Sequence, residues 1–279
     1  MSPSPQAGRQ GGCVEFLQWA LPKLGYQWTG FRRVHRQVCK RIGRRLRELH
    51  LGDLTDYCRH LEAEPSEWRV LDGFCWIPIS RFGRDREIFE CLGREVLPHL
   101  AQAAVTRGAA SIEAWSVGCA RGEEVYTLNA VWRFMVAPAW PQLSIAILGT
   151  DIDGEQLDRA QSGLFKGSSL AELPPSWREA MFARTDVEYR IRPAFCSNVR
   201  FQQQDIREVE PPTTFELILC RNLVLTYFEQ DLQCQTLKRL VSHLRQDGAF
   251  VIGAREALPP IELGLVPWGT AQGIYRRVA

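Results

Sequence analysis

The chain has 279 residues, 45% of them hydrophobic and 24% charged, which is the composition of an ordinary globular protein with one large or two smaller domains. The formal net charge of +2 is nearly neutral, so the charge of the whole molecule does not indicate nucleic-acid binding. No apolar run approaches the roughly 18 residues of a membrane-spanning helix, so we expect no membrane insertion.

The nine cysteines form an odd number and include no Cys-x-x-Cys pair. Several lie in apolar runs, as Cys220 does in "FELILC", which favours reduced, buried thiols in a cytoplasmic protein. The five histidines show no spacing typical of metal ligands, so no metal site is expected.

The N-terminal part of the chain is predicted to be helical. Residues 1–28 begin with "MSPSPQAGRQGG" and are expected to be a flexible tail, and residues 29–85 a small helical domain. Within it, "FRRVHRQVCKRIGRRLREL" (31–49) has apolar residues at steps of three or four, which predicts an amphipathic helix. Eight Lys or Arg side chains lie between Arg32 and Arg47. They form either a solvated helix face or a docking surface.

The second part of the chain is predicted to be α/β. An amphipathic linker helix (86–106) leads to residues 107–279, where strand-like runs alternate with helical patterns. The predicted strands are 111–117, 143–151, 198–205, 215–220 and 248–254. This alternation favours a mostly parallel sheet covered on both faces. The stretch 173–199 interrupts it and is expected to be a small inserted subdomain.

Glycines and polar residues follow the predicted strands, where parallel sheets bind ligands. Gly118 and Gly122 allow a tight turn, which is either structural or a ligand-binding loop. Asp151 suits ribose hydroxyls or a helix cap, and Asp205 has a similar alternative as a turn residue. Because no Walker-type motif or full G-x-G-x-x-G is present, these acids favour a nucleoside without phosphates, such as S-adenosylmethionine.

Four ordered motifs resemble the CheR family of S-adenosylmethionine-dependent protein-glutamate O-methyltransferases of bacterial chemotaxis. They are "WSVGCARGEEVYTL", "TDIDGEQLDRAQSGLF", "FELILCRN" with the nearby "TYF", and "LRQDGAFVIGAREAL". The basic helix and "ISRFGRDREIF" resemble the helical domain of the family and the link after it, so the resemblance covers about residues 29–270. It implies a Rossmann-like class I methyltransferase sheet with an N-terminal all-helical domain and a small inserted β-subdomain.

The resemblance also implies roles for individual residues. Arg84 would lie near both the cofactor and the acceptor carboxylate, and Tyr227 would be a substrate-side tyrosine, with a place in the core as its alternative. Glu124 and Asp151 would hold the amino-acid end and the ribose of S-adenosylmethionine. The full set of implied cofactor-binding residues is Ser80, Arg84, Gly118, Gly122, Glu124, Asp151, Asp205, Ile206, Arg221 and Asn222.

The chain departs from the N-x-T-x-F-F-R pattern of the family, because Pro78 replaces the Asn and Gly83 the second Phe. These changes favour, as an alternative, a methyltransferase for a small-molecule or peptide carboxylate. A catalytically silent cofactor-binding signalling module is the third hypothesis. The expected partner is an acidic, chemoreceptor-like signalling helix that docks on the basic helix Arg32–Arg47. A monomer that binds no nucleic acid is expected.

Overall fold

The computed structural model describes residues 11–208 and 213–278. The chain forms two compact units, and each is described by itself. The helical unit extends to Ile77 and includes the later segment Thr226–Gln233. The sheet unit consists of Pro78–Leu225 and of Cys234 to the end of the chain.

The helical unit contains five helices before Ile77. They are α1 (Gly11–Ala20), α2 (Trp28–Phe31), α3 (His35–Glu48), α4 (Leu54–Ala63) and α5 (Glu67–Cys75). The predicted flexible tail is wrong for residues 11–28, because Phe16, Leu17 and Leu21 are fully buried. Its first ten residues lie outside the described part of the chain.

A disulfide joins Cys13 in α1 to Cys39 in α3, with 6.1 Å between the two Cα atoms. The prediction that all nine cysteines are reduced is therefore wrong for this pair, whereas the other seven are free thiols. A spacing of 26 residues carries no signal for pairing. The bond depends on the packing of α1 beside α3, which the cysteine pattern does not encode.

The basic residues of the α3 region fall into two groups, those that bind other residues of the helical unit and those that are exposed to solvent. Arg45 forms an ion pair with Glu67, 2.8 Å between Nη2 and Oε2, and the hydroxyl of Tyr57 donates to the same carboxylate. Arg41 donates to the carbonyls of Phe74 and Trp76. The other six basic residues of the helix region are exposed: Arg32, Arg33, Arg36, Lys40, Arg44 and Arg47. Two of the eight cations therefore stabilise the fold and six face solvent.

The segment Thr226–Gln233 completes the packing of the helical unit. The rings of Phe31 and Tyr227 pack edge to face with centroids 5.0 Å apart, and Tyr26 forms an isolated bridge with Phe228. A Cβ on Gly30 would lie 2.1 Å from the carbonyl oxygen of Thr226, so only glycine fits there. The predicted domain 29–85 is thus corrected to a discontinuous unit that begins earlier and ends at Ile77.

The sheet unit is built on a seven-stranded sheet in the order β6-β2-β1-β7-β8-β10-β9. Its strands are β1 (Ser111–Val117), β2 (Ser144–Asp151), β6 (Val199–Gln203), β7 (Phe215–Leu219), β8 (Leu244–Val251), β9 (Leu265–Pro267) and β10 (Ile274–Arg277). The first five pair in parallel, and β10 is antiparallel to β8 and β9. All five residues of β7 are buried, as expected for a central strand covered on both faces. All five predicted strands are present, but the fifth, predicted at 248–254, spans Leu244–Val251, and β9 and β10 were not predicted.

Helices cover this sheet on both sides. They are α6 (Arg86–Cys91), α7 (Leu97–Thr106), α8 (Glu123–Val131), α9 (Gly154–Ser162) and the part of α12 (Gln230–Ser242) from Cys234 onward. The short helix α11 (Val224–Tyr227) lies at the boundary, since its last two residues belong to the helical unit. A π-helical turn (Leu92–Val96) connects α6 to α7, and a second one (Trp132–Val136) extends α8. The predicted linker 86–106 is instead part of the sheet unit, because Phe89, Leu92 and Leu100 are buried in its main core.

A second, three-stranded sheet has the order β3-β5-β4, from β3 (Leu164–Phe165), β4 (Phe182–Arg184) and β5 (Tyr189–Ile191), all antiparallel. Helix α10 (Pro175–Met181) precedes β4. The predicted insertion 173–199 therefore starts too late, because β3 already belongs to this subdomain. No helix in the described ranges is long and apolar enough to cross a membrane.

Candidate functional site

The turn between β1 and α8 requires glycine. Gly118 and Gly122 have φ angles of 69° and 83°, in the left-handed region that L side chains rarely adopt. A Cβ on Gly122 would lie 2.9 Å from the ring of Phe201 and 3.0 Å from Cβ of Ala160. The glycines therefore have a structural role in this turn, whatever they also do for a ligand.

Asp151 ends β2 beside this turn. Its Oδ2 accepts a hydrogen bond from the backbone N–H of Ala120, and its Oδ1 accepts one from Asp153. Asp153, and not Asp151, caps α9 by accepting from the N–H groups of Glu155 and Gln156. Burial raises the pKa of Asp151 above its ordinary value. The cap of α9 is therefore Asp153, whereas the carboxylate of Asp151 holds the backbone N–H groups of Ala120 and Asp153.

Arg221, which follows β7, carries a buried positive charge at the center of a chain of ion pairs. Its Nη1 lies 2.6 Å from Oε2 of Glu124 and its Nη2 lies 2.8 Å from Oδ2 of Asp85. Glu124 also accepts from the hydroxyl of Ser116 over 2.7 Å. Both carboxylate oxygens of Glu124 thus already have partners within the protein, Arg221 and Ser116. Its contacts hold neighbouring elements together and leave little capacity to bind a ligand group.

Glu123 is a candidate that the sequence did not single out. It begins α8 and is only 3% exposed, and its Oε2 has no partner among the described residues. Burial raises the pKa of this carboxyl. A buried acceptor without a partner is costly, so a ligand that donates to it would stabilise the site.

A pocket at this edge of the sheet brings six of the ten predicted cofactor residues together. They are Ser80, Arg84, Gly118, Glu124, Arg221 and Asn222, and Ile79, Arg81 and Cys119 complete the lining. Nη1 of Arg84 donates to the carbonyl of Ile79 over 3.0 Å. Asn222 has a left-handed φ of 55°, and its N–H donates to Glu256.

The other predicted residues lie outside this lining. Asp205 lies in the turn after β6 and forms an ion pair with Arg207 over 2.7 Å. Its Oδ1 also accepts from the backbone N–H of Arg207, so Asp205 stabilises this turn. The carbonyl of the buried Ile206 accepts from Arg239. The N–H of Gln204 donates to the carbonyl of Asp151, which places the start of this turn beside β2. Tyr227 belongs to the helical unit, where its ring packs on Phe31, and its catalytic role stays a prediction.

The departures at Pro78 and Gly83 have different consequences. Gly83 has a φ of 69°, and a Cβ there would lie 3.3 Å from the carbonyl oxygen of Glu172, so a larger residue would be strained. The Gly83 N–H donates to Oγ1 of Thr127, which ties the segment to α8. Pro78 offers no N–H donor at the start of the segment that lines the pocket.

Two family models match this chain and assign its family. Residues 79–266 match the SAM binding domain of CheR methyltransferases, and residues 35–71 match the all-alpha domain of the same family. The chain belongs to the CheR methyltransferase family. The motif resemblance is thereby confirmed, as is the class I methyltransferase fold, and S-adenosylmethionine is the cofactor of this domain.

Curated relatives agree with this assignment. A protein of Pseudomonas aeruginosa named chemotaxis protein methyltransferase 2 is 29% identical over 91% of both chains. An uncharacterised 104.1 kDa protein of Rhodobacter capsulatus is 33% identical over 81% of this chain, but this chain spans only 23% of its length. Among solved structures, the PKMT2 protein of Rickettsia typhi in complex with AdoHcy is 16% identical, with a TM-score of 0.36 over 63% of this chain and 26% of its own. A score this low supports no inference.

Two acids outside the pocket lining fit S-adenosylmethionine. Glu123, the neighbour of Glu124 in the chain, has a partnerless Oε2 that suits a ligand ammonium group, and Asp151, which accepts from the N–H of Ala120, has a carboxylate that suits ribose hydroxyls. In the described part of the chain, no group of three or more Cys, His, Asp or Glu residues is placed to hold a metal ion.

Proposed function

We propose that this protein transfers the methyl group of S-adenosylmethionine to a glutamate side chain of an acidic protein, forming a carboxyl methyl ester. The observation that carries the proposal is the pocket of a CheR-family domain that is lined by Glu124 and three arginines at the strand ends, with the acids Glu123 and Asp151 outside its lining. The acids suit a cationic donor, and the arginines suit an anionic acceptor.

For the cofactor, we assign the ammonium group to Glu123 and the ribose to Asp151. Glu123 is favoured over Glu124 because Glu124 is already engaged by Arg221 and Ser116. The methyl donor, when bound, supplies an electrophilic methyl group on a positively charged sulfur. The main chain at Gly118 and the side chain of Asn222 line the same pocket and restrict where the donor can lie.

For the acceptor, no residue has to remove a proton, since a glutamate carboxylate with an ordinary pKa of about 4.3 is ionised near neutral pH. The task of the protein is to hold the carboxylate in line with the methyl group, and correct placement of reactants can contribute about 7–11 kcal/mol. Arg84 is our candidate for this task. Its guanidinium makes one hydrogen bond, to Ile79, within the described chain, and its other N–H groups are available to an incoming carboxylate.

The six exposed cations of the α3 region support a docking role for this surface. An acidic signalling helix, as in a chemoreceptor, is the partner with the matching charge, and long-range attraction would speed the encounter. A cytoplasmic location is part of the same proposal: seven of the nine cysteines lie outside a disulfide, which suits a reducing compartment, whereas the Cys13–Cys39 bond favours an oxidising one.

The decisive experiment incubates the protein with methyl-labelled S-adenosylmethionine and a purified chemoreceptor cytoplasmic fragment, followed by mild alkali. Carboxyl methyl esters release volatile labelled methanol, whereas N-methyl groups do not. Base-stable label would contradict esterification while leaving methyl transfer intact. Label on small carboxylates alone would favour the alternative suggested by Pro78 and Gly83. Binding of the donor without any transfer would indicate a silent signalling module.

A further inference from the structure

The segment Ile79–Asp85 supplies four of the pocket residues and has no regular secondary structure, so something must hold it in place. Its middle is attached at two points. The N–H of Phe82 donates to the carbonyl of Ser169, and the Phe82 ring is buried against Phe165, 4.9 Å between centroids. The N–H of Gly83 donates to Thr127. These contacts leave the end of the segment, at Arg84 and Asp85, to be fixed separately.

Asp85 does not do what its position suggests. It directly precedes α6, where an aspartate normally caps the helix, but its side chain makes no capping hydrogen bond. Instead its Oδ2 lies 2.8 Å from Nη2 of Arg221 and 3.5 Å from the N–H of Ala254. Its backbone adopts φ 58° and ψ 58°, a conformation that is unfavourable for residues other than glycine and asparagine or aspartate. The Asp85 carboxylate therefore forms this ion pair and not a helix cap, and its left-handed backbone is one that aspartate can adopt.

Arg221 binds the main chain next to Asp85 as well as the Asp85 side chain. The same Nη2 that meets Asp85 also donates to the carbonyl of Arg84 over 2.8 Å. Its Nη1 meets Glu124 on α8, and its guanidinium carbon lies 5.1 Å from the ring center of Phe89 on α6. Because the Arg221 side chain is only 3% exposed, these contacts are shielded from water and are strong.

The charge state of Asp85 agrees with this geometry. Burial acts to raise the pKa of its carboxyl, but the hydrogen bond and the positive charge of Arg221 outweigh it, so the pKa is lowered overall. Asp85 is thus ionised throughout the neutral range, and its ion pair with Arg221 does not change with pH in that range.

We infer that Asp85 is a positioning residue, which acts with Arg221 to clamp the Arg84 main chain so that the Arg84 side chain stays on the pocket wall. The clamp itself is independent of the reaction. Its catalytic consequence rests on the proposed function, because Arg84 matters for turnover only if it steers the acceptor.

The test uses Asp85→Asn in the full-length protein. Asparagine tolerates the left-handed backbone and is nearly isosteric, so this change removes the charge and little else. Glu87→Gln is the matched control, since Glu87 is exposed on the same helix and forms no ion pair within the described residues. Arg84→Ala, alone and combined with Asp85→Asn, reports whether Asp85 acts through Arg84.

Amide hydrogen exchange of residues 79–84 measures the clamp without any reaction. We expect about tenfold faster exchange at Phe82 and Gly83 in Asp85→Asn and no change in Glu87→Gln. Equal exchange in the two variants would overturn the inference, as would a wild-type segment that exchanges as fast as unstructured chain. If Asp85→Asn does not fold, Arg221→Lys, which cannot make all three contacts of the arginine, is measured in its place with the same expected result.

Turnover with the chemoreceptor fragment measures the consequence. Asp85→Asn should lower kcat about tenfold, with less than a threefold change in the Kd for S-adenosylhomocysteine. In the Arg84→Ala background it should lower kcat less than twofold further, whereas fully multiplicative losses would show that Asp85 does not act through Arg84. A wild-type protein without transfer activity would refute the proposed function, while the exchange measurement would still decide whether the clamp exists.

Discussion

The backbone N–H of Ala120 donates a hydrogen bond of 2.8 Å to Oδ2 of Asp151, so the carboxylate that ends β2 also holds the glycine turn that follows β1. One side chain therefore links the two halves of the proposed cofactor site. Because Asp153 caps α9, the two neighbouring aspartates have separate tasks that mutation can distinguish.

We expect Asp151→Asn to weaken binding of S-adenosylhomocysteine by about 10- to 100-fold, the usual effect of losing a charged hydrogen-bond partner. Isothermal titration calorimetry measures this directly. Asp153→Asn is the control: as a change of one capping residue for another, it should leave the affinity within about twofold. Equal losses in the two variants would contradict a ribose-binding role for Asp151.

Glu123→Gln should affect stability and binding in opposite directions. Burial raises the pKa of Glu123, so the folded state favours its neutral form, and that contribution to stability is lost as the pH rises through the folded pKa. Glutamine stays neutral. Without ligand the variant should therefore be more stable than wild type at pH 7, by about 1 kcal/mol, and equally stable below about pH 4.

The same variant should bind S-adenosylhomocysteine about tenfold more weakly at pH 7, because the partner of the ligand ammonium loses its charge. Urea unfolding at pH 7 and pH 4, together with calorimetry, measures both effects. A Gln variant that is less stable at pH 7 and binds normally would show that Glu123 is a structural residue.

Arg84→Ala should lower turnover far more than cofactor affinity, by about 100-fold in kcat, because a misplaced acceptor loses most of the benefit of alignment. Arg81→Ala is the matched control, since Arg81 lines the same pocket but pairs with Glu172 over 3.0 Å at the surface. Initial rates with the chemoreceptor fragment measure kcat and KM for both. Unchanged turnover in Arg84→Ala would remove it from the mechanism.

Reversing the charge of Arg33, Arg36 and Lys40 to Glu should raise KM for an acidic protein acceptor by about tenfold or more at low salt, with the difference shrinking as salt is added. The control reverses three exposed cations of the sheet unit, Arg200, Lys238 and Arg276. Affinity for S-adenosylhomocysteine should not change in either variant. An equal rise in KM for both triple variants would mean that net charge alone matters, and not the α3 surface.

Cleaving the Cys13–Cys39 bond should destabilise the helical unit, by about 3 kcal/mol for a closed loop of this size. Urea unfolding of Cys39→Ser, compared with wild type under non-reducing conditions, measures the loss. Cys58→Ser, which replaces a free thiol on α4, should have a much smaller effect. If a reductant changed the stability of Cys39→Ser as much as that of wild type, the effect would not come from this bond.

The sheet and the position of the site could be predicted from the sequence because each depends on local patterns. Strands buried on both faces are continuous apolar runs, and polar residues at their carboxyl ends converge whatever the detailed packing. For this reason the sequence alone points to Gly118, Asp151 and Arg221.

The features that the sequence does not encode depend on packing between distant segments. Glu123 and Glu124 are neighbours on a helix, and about 100° of rotation decides which carboxylate meets Arg221 and which remains without a partner. Helix α1 was included in a predicted tail because its few apolar residues follow a polar, glycine-rich start. The Cys13–Cys39 bond and the clamp at Asp85 join positions whose proximity no local pattern encodes.

The discontinuous helical unit constrains the order in which this protein can fold during synthesis. Its last segment, Thr226–Gln233, is translated only after the whole stretch Pro78–Leu225 of the sheet unit. Until then Tyr26 and Phe31 lack the aromatic partners that cover them in the folded unit. A chain truncated after Ile77 would therefore carry an exposed apolar face, and the helical unit can be completed only once Thr226–Gln233 has been synthesised.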